Sequence, residues 1–165
     1  MSLNELYELN DGHQLPKIGL GTFQIRGYQG VDQILNAIQI GYRLLDTSTN
    51  YDSEGAVGEA IRRSGIPRSQ FYVTTKLPGK YHHFDDALKI IEESLLRLGL
   101  DCLDLYLIHW PLPKRDNYVE AWQALIEAQR RGLVRSIGVS NFEKEHLDKI
   151  CLLYTSDAAD ELDGV

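Results

Sequence analysis

Cysteine is scarce in this 165-residue chain: Cys102 and Cys151 are its only two. Two thiols cannot build a disulfide framework, so a reducing, cytoplasmic setting is the simplest expectation. Long apolar runs are missing as well. No stretch of about 18 apolar residues occurs, so no membrane-spanning helix is expected. The opening Met1-Ser2-Leu3-Asn4-Glu5 lacks the charged-then-apolar order of a signal peptide. Basic residues are outnumbered, 17 Lys and Arg against 24 Asp and Glu, for a formal net charge of −7. That balance argues against nucleic acid or an anionic membrane as a partner, while leaving room for a local basic pocket that takes a phosphate. Metal motifs are absent too. His82 and His83 are adjacent, His13 and His146 lie far off, and no zinc-type spacing or HExxH occurs. Neither a GxGxxG fingerprint nor a Walker loop is present. No internal repeat, linker or low-complexity stretch interrupts the chain.

What remains is a regular rhythm of short apolar runs and longer amphipathic ones. Leu6–Leu9 and the run from Gln14 flank Asn10-Asp11-Gly12, which predicts an N-terminal β-hairpin. Strand-like segments follow at Lys17–Phe23, Arg43–Thr47, Gln70–Lys76, Leu103–His109 and Arg135–Ser140. Helical spacing recurs between them: Val31, Ile34, Leu35 and Ile38; then Ala56, Val57, Ala60 and Ile61; then Leu88, Ile91, Leu95 and Leu98. Further helices are predicted over Tyr118–Arg131 and from Glu143 onward. Glycines stand where helices end, at Gly65, Gly99 and Gly132. Five strand-helix units in series imply a parallel sheet covered by helices, open or closed into a barrel.

Polar residues collect where the strands end. Asp46 ends the second strand, with Tyr51 five residues on; Lys76 ends the third, His109 the fourth, and Ser140-Asn141 the fifth. Carboxyl ends of parallel strands share one edge, where ligands and catalytic groups gather. Taken singly, each residue also fits a plain role: Asp46 a cap, Tyr51 a packed ring, Lys76 a solvated cation, His109 a satisfied core histidine. Together they suit proton transfer to an oxygen. An ammonium beside a phenol lowers its pKa, a carboxylate holds that ammonium in place, and a histidine hydrogen-bonds the reacting oxygen. Gly19 and Gly21 are expected to permit close backbone approach at a strand end. Phe23 and Trp110 could wall an apolar pocket.

These residues, in this order, resemble the aldo-keto reductases. The resemblance rests on Ile18-Gly19-Leu20-Gly21-Thr22-Phe23, on Gly41–Thr47 continuing through Tyr51 to Glu54–Gly58, on Asp104–Pro111 and on Gly138–Phe142. It covers about residues 5–150 and is nearest the compact bacterial reductases related to diketogluconate reductases. It implies a (β/α)8 barrel of the TIM type with a hairpin closing its bottom, and hydride transfer between NADPH and an aldehyde or ketone. NADH is not excluded. By position, Tyr51 is the general acid, tuned by Lys76 and Asp46, and His109 orients the carbonyl. Gly21, Thr22, Asp46, Ser140 and Asn141 bind the cofactor, while Phe23, Trp110 and His109 meet the small carbonyl substrate. Ser53 stands where the family commonly has Asn, a change at a helix start. The alternative function is a non-enzymatic nicotinamide-cofactor-binding or regulatory protein on the same scaffold.

A complete barrel of this type takes about 250 residues. The expectation is therefore a truncated barrel: the hairpin and five β/α units in residues 1–150, followed by an unrelated tail over 151–165 that reads like translated sequencing adapter. Without that tail the net charge is −3. A monomer is expected for the complete protein. Self-association and little or no activity are expected for the truncated chain, whose sheet edges are open.

Overall fold

A computed structural model describes residue 3 and residues 5–151. Most of the expected tail, 152–165, lies outside the described residues. The Asp-Gly turn does form a hairpin: β1 (Leu6–Glu8) pairs antiparallel with β2 (Gln14–Pro16), and Gly12 takes φ +82°. Five further strands build one parallel sheet in chain order: β3 (Gly19–Gly21), β4 (Leu44–Asp46), β5 (Tyr72–Leu77), β6 (Leu103–Ile108) and β7 (Val134–Val139). Helices α1 (Gly27–Ile40), α2 (Glu54–Ser64), α3 (Phe84–Leu98) and α4 (Tyr118–Arg130) connect them, and a further helix starts at residue 144.

Each helix forms where the apolar spacing places it. Val31, Ile34 and Ile38 of α1, Val57, Ala60 and Ile61 of α2, and Leu88, Ile91 and Leu95 of α3 are buried against the sheet. α1 nevertheless begins four residues before Val31. Its first turn is Gly27-Tyr28-Gln29-Gly30, which offers no apolar periodicity to read. Gly58 explains the close packing of α2 on α3, since a Cβ there would lie 2.1 Å from the Leu98 carbonyl oxygen.

Strand alternation divides the sheet into two unlike faces. Leu45, Val73, Leu77, Tyr106 and Ile108 are fully buried beneath the helices. On the opposite face Leu44, Leu105 and Leu107 are half-buried, and Asp46 and Lys76 also belong to it. The register sets Gly21 beside Asp46 and Asp46 beside Thr74, with Lys76 two residues further along β5. One carboxylate fixes the other end of the sheet. Asp104, on β6, accepts hydrogen bonds from the Arg68 guanidinium (2.6 Å) and the Val73 N–H (2.8 Å), and pairs with Arg135 at 3.2 Å. No helix among the described residues is long and apolar enough to cross a membrane.

Candidate active site

Five non-glycine residues adopt positive φ among those described: Gln24, Asp52, Leu112, Asp116 and Asn141. All five stand in loops that follow β3, β4, β6 and β7, on the carboxyl edge of the sheet. Strained backbone of this kind concentrates at functional sites. The expected site residues lie on the same edge.

Lys76 is buried, 7% exposed, and carries its ammonium to the strand edge. It donates to Asp46 Oδ1 at 2.6 Å and to the Thr47 carbonyl at 2.8 Å, which offsets its desolvation. The same ammonium sits 5.2 Å from the centre of the Tyr51 ring. Tyr51 meets Phe23 edge-on at 5.2 Å and His109 edge-on at 5.7 Å, and Trp110 stacks on His109 at 6.3 Å. A short 3-10 turn, Thr49–Tyr51, delivers Tyr51 to this point. The Arg26 Nε–H holds the turn by donating to the Tyr51 carbonyl at 2.9 Å.

The electrostatics differ from the sequence expectation in one respect. Lys76 does not bring the Tyr51 phenol below its ordinary pKa. Burial raises it, and the Asp46 carboxylate raises it further. With Asp46 in contact, the Lys76 charge is largely closed on itself, and the phenol stays protonated at neutral pH. His109 moves the other way. Burial, and then the Lys76 ammonium, hold it below the usual imidazole value against the opposing Asp46, so the ring is neutral at pH 7. Its Nδ1 lies 3.1 Å from the Ser48 hydroxyl, which already accepts from the Asn50 N–H. In the tautomer where that hydroxyl donates to Nδ1, the ring proton stands on Nε2.

Ser140 and Asn141 also join the site. The Asn141 amide donates to the His109 carbonyl (2.8 Å) and to Ser140 Oγ (3.0 Å). This leaves one donor, the Ser140 O–H, and one acceptor, Asn141 Oδ1, side by side: the complement of a carboxamide. Beside Gly21 a Cβ would meet nothing within 4 Å, so this strand end has open space; Gly19 alone is the close approach, with Leu44 against it. Thr22 also has a structural part. It is completely buried, its hydroxyl donates to the Asp46 carbonyl, and its Oγ lies 3.0 Å from Ser53 Oγ. Ser53 in turn reaches Thr47 at 2.8 Å and makes no cap to α2. These three hydroxyls fix the end of β4 that carries Asp46. Sequence reasoning overlooked Ser48 and Arg26. The run of hydroxyl residues Thr47-Ser48-Thr49 after a strand end was the available signal.

The fold and site define a class: an α/β protein of TIM-barrel type whose strand ends present a phenol, an ammonium–carboxylate pair and a neutral imidazole. Comparison with known proteins agrees. Residues 17–162 match the Aldo/keto reductase family, and the chain belongs to it. It is 48% identical over 139 residues to 2,5-diketo-D-gluconic acid reductase B of a Corynebacterium species, covering 84% of this chain and 50% of that protein. It is 41% identical over 143 residues to methylglyoxal reductase DkgA of Escherichia coli, covering 87% and 51%. An aldo/keto reductase crystal structure from Brucella melitensis superposes with a TM-score of 0.85 at 42% identity, over 88% of this chain and 57% of that one. One from Bombyx mori in complex with NADP gives 0.81 at 36%, over 92% and 55%. The chain thus spans about half the length of the relatives it matches.

Proposed function

We propose that this protein reduces aldehydes or ketones with NADPH, and that Tyr51 supplies the proton. The carrying observation is the convergence of Tyr51, Lys76, Asp46 and His109 at one strand edge, with Tyr51 held as a phenol and His109 neutral. A carbonyl oxygen placed between Tyr51 Oη and His109 Nε2 receives two hydrogen bonds from neutral donors. The nicotinamide cofactor, when bound, supplies the hydride to the carbonyl carbon. Tyr51 gives its proton to the oxygen as negative charge develops there, its raised pKa keeping it a proton donor at neutral pH. Solvent then restores the phenol.

The residues present fit the cofactor. The Ser140 donor and Asn141 acceptor match the carboxamide of nicotinamide, and the space beside Gly21 leaves room for it. NADPH and NADH share that carboxamide, so this end of the site accepts either. The names of the relatives point to small dicarbonyl compounds as the substrate class. Phe23 and Trp110 are 61% and 52% exposed, so the rim of the site beside Tyr51 is open to solvent. The 165 residues by themselves are therefore expected to turn over little, and the activity is assigned to the protein at family length.

Tyr51→Phe tests the assignment. In the family-length protein it should lower turnover by about 10²–10⁴-fold, with NADPH affinity measured by fluorescence titration unchanged. A parallel loss of cofactor binding would make Tyr51 a binding residue and overturn its role as acid.

A further inference from the structure

Beyond the reacting centre, the same strand edge holds a cavity of about 600 Å³, lined by Asn50, Pro78, Gly79, Lys80 and the segment Leu112–Arg115. Its walls come from the loops after β4, β5 and β6. Asn50 precedes Tyr51, Pro78 lies two residues past Lys76, and Leu112 lies two past Trp110. The cavity thus adjoins the substrate side of the site, while Ser140 and Asn141 are not among its lining residues.

Two observations single it out. The first is charge. Among the described residues, nine of the ten arginines hold a carboxylate or a carbonyl oxygen and Arg115 holds neither. Its neighbour Asp116 is taken by Lys149. Lys80 and Lys114 form no ion pair among the described residues either, Lys80 resting over the Tyr81 ring. Three unpaired cations therefore line one cavity that has no carboxylate in its wall, in a chain with net charge −7. The second is construction. Leu112 is held at φ +47°, a costly conformation for a branched side chain. Its side chain fills the space above Gly79, where a Cβ would lie 2.1 Å from Leu112 Cδ1. This contact locks the β6 loop against the β5 loop and so shapes the cavity.

We propose that this cavity is an oxyanion subsite, in which Lys80, Lys114 and Arg115 bind a carboxylate on the far end of the carbonyl substrate while the carbonyl faces Tyr51 and His109. The proposal rests on the reductase reading for what the carbonyl end does. It specifies the substrate class as carbonyl compounds with an anionic tail, held by charge-assisted hydrogen bonds from a guanidinium and two ammonium groups.

The test compares two aldehydes of similar shape, para-carboxybenzaldehyde and its neutral methyl ester, in the wild-type family-length protein and in the triple variant Lys80→Gln, Lys114→Gln, Arg115→Gln. All three side chains are exposed, so the fold should persist, and unchanged NADPH affinity checks it. The wild type should favour the carboxylate in kcat/KM. That preference should weaken with salt and fall at least about tenfold in the variant, with the ester unaffected. A ratio unmoved by the substitutions, or equal losses for both aldehydes, overturns the subsite. Glyceraldehyde phosphate against glyceraldehyde is the second pair; a larger charge effect there identifies a phosphate tail instead of a carboxylate. Calorimetric binding of the first pair separates the two ideas. Charge-dependent binding of para-carboxybenzaldehyde without turnover supports the subsite and refutes the reductase. Turnover without charge dependence does the reverse.

Discussion

Replacing Asp104 by Asn keeps the shape of the side chain and removes its charge. Asp104 is 6% exposed and serves three donors: Arg68 at 2.6 Å, the Val73 N–H at 2.8 Å and Arg135 at 3.2 Å. In the variant an amide NH2 or a neutral oxygen faces each guanidinium. Charge-assisted hydrogen bonds contribute about 1.5–3 kcal/mol each, and breaking a buried pair from one side costs about 3–5 kcal/mol. In a chain of this size each kcal/mol lowers Tm by about 2–4 °C, so Asp104→Asn should lower it by about 6–20 °C. The control is Glu59→Gln on the solvent side of α2. Glu59 is contacted by both Arg62 and Arg63, which hold its carboxyl down to about 2. Solvent screening makes such pairs weak, and its Tm should stay within about 1 °C of wild type. Thermal unfolding followed by far-ultraviolet circular dichroism reads both. Equal falls in the two variants, or an Asp104→Asn change under about 2 °C, would refute burial as the deciding factor.

Two further outcomes follow from the site and its surroundings. Ser48→Ala removes the partner of His109 Nδ1 and should lower kcat/KM by about three- to tenfold, the value of one neutral hydrogen bond, while Ser48→Thr restores it; a silent Ser48→Ala would show that the imidazole orients itself without help. His82 is 2% exposed with neither ring nitrogen hydrogen-bonded among the described residues, and burial, with Arg115 and His83, lowers its pKa to about 4. The folded protein therefore binds fewer protons than the unfolded chain between about pH 6.5 and pH 4, and stability falls as pH drops through that window, by up to about 1.4 kcal/mol per pH unit from this group. Urea unfolding at several pH values should show a shallower slope for His82→Leu than for wild type, and equal slopes would contradict the assignment.

Much of this was legible in the sequence because it depends on local periodicity. The spacing of Leu88, Ile91, Leu95 and Leu98 reveals a helix whatever packs on it. Polar residues at the ends of apolar runs, at Asp46, Lys76 and His109, locate a functional edge once the strands are taken as parallel. Helix starts without apolar content, such as Gly27–Gly30, gave no signal. Nor did the pairing of hydroxyls across the chain: that the Thr22 hydroxyl is a buried tie to Ser53 and Asp46 has no trace in the residue spacing.

The sequence by itself determined the order of elements and the edge of the sheet on which Asp46, Tyr51, Lys76 and His109 stand. Only the tertiary structure decided what state those groups are in. The direction of the Tyr51 shift depends on how completely Asp46 closes the Lys76 charge, and that is a matter of a 2.6 Å contact between residues 30 apart in the chain. The tautomer of His109 depends on a serine 61 residues away. Whether Arg115 is one more surface charge or part of a binding site depends on which carboxylates lie within reach. Electrostatic energies are set by distance and burial, and neither is encoded in the spacing of residues along the chain.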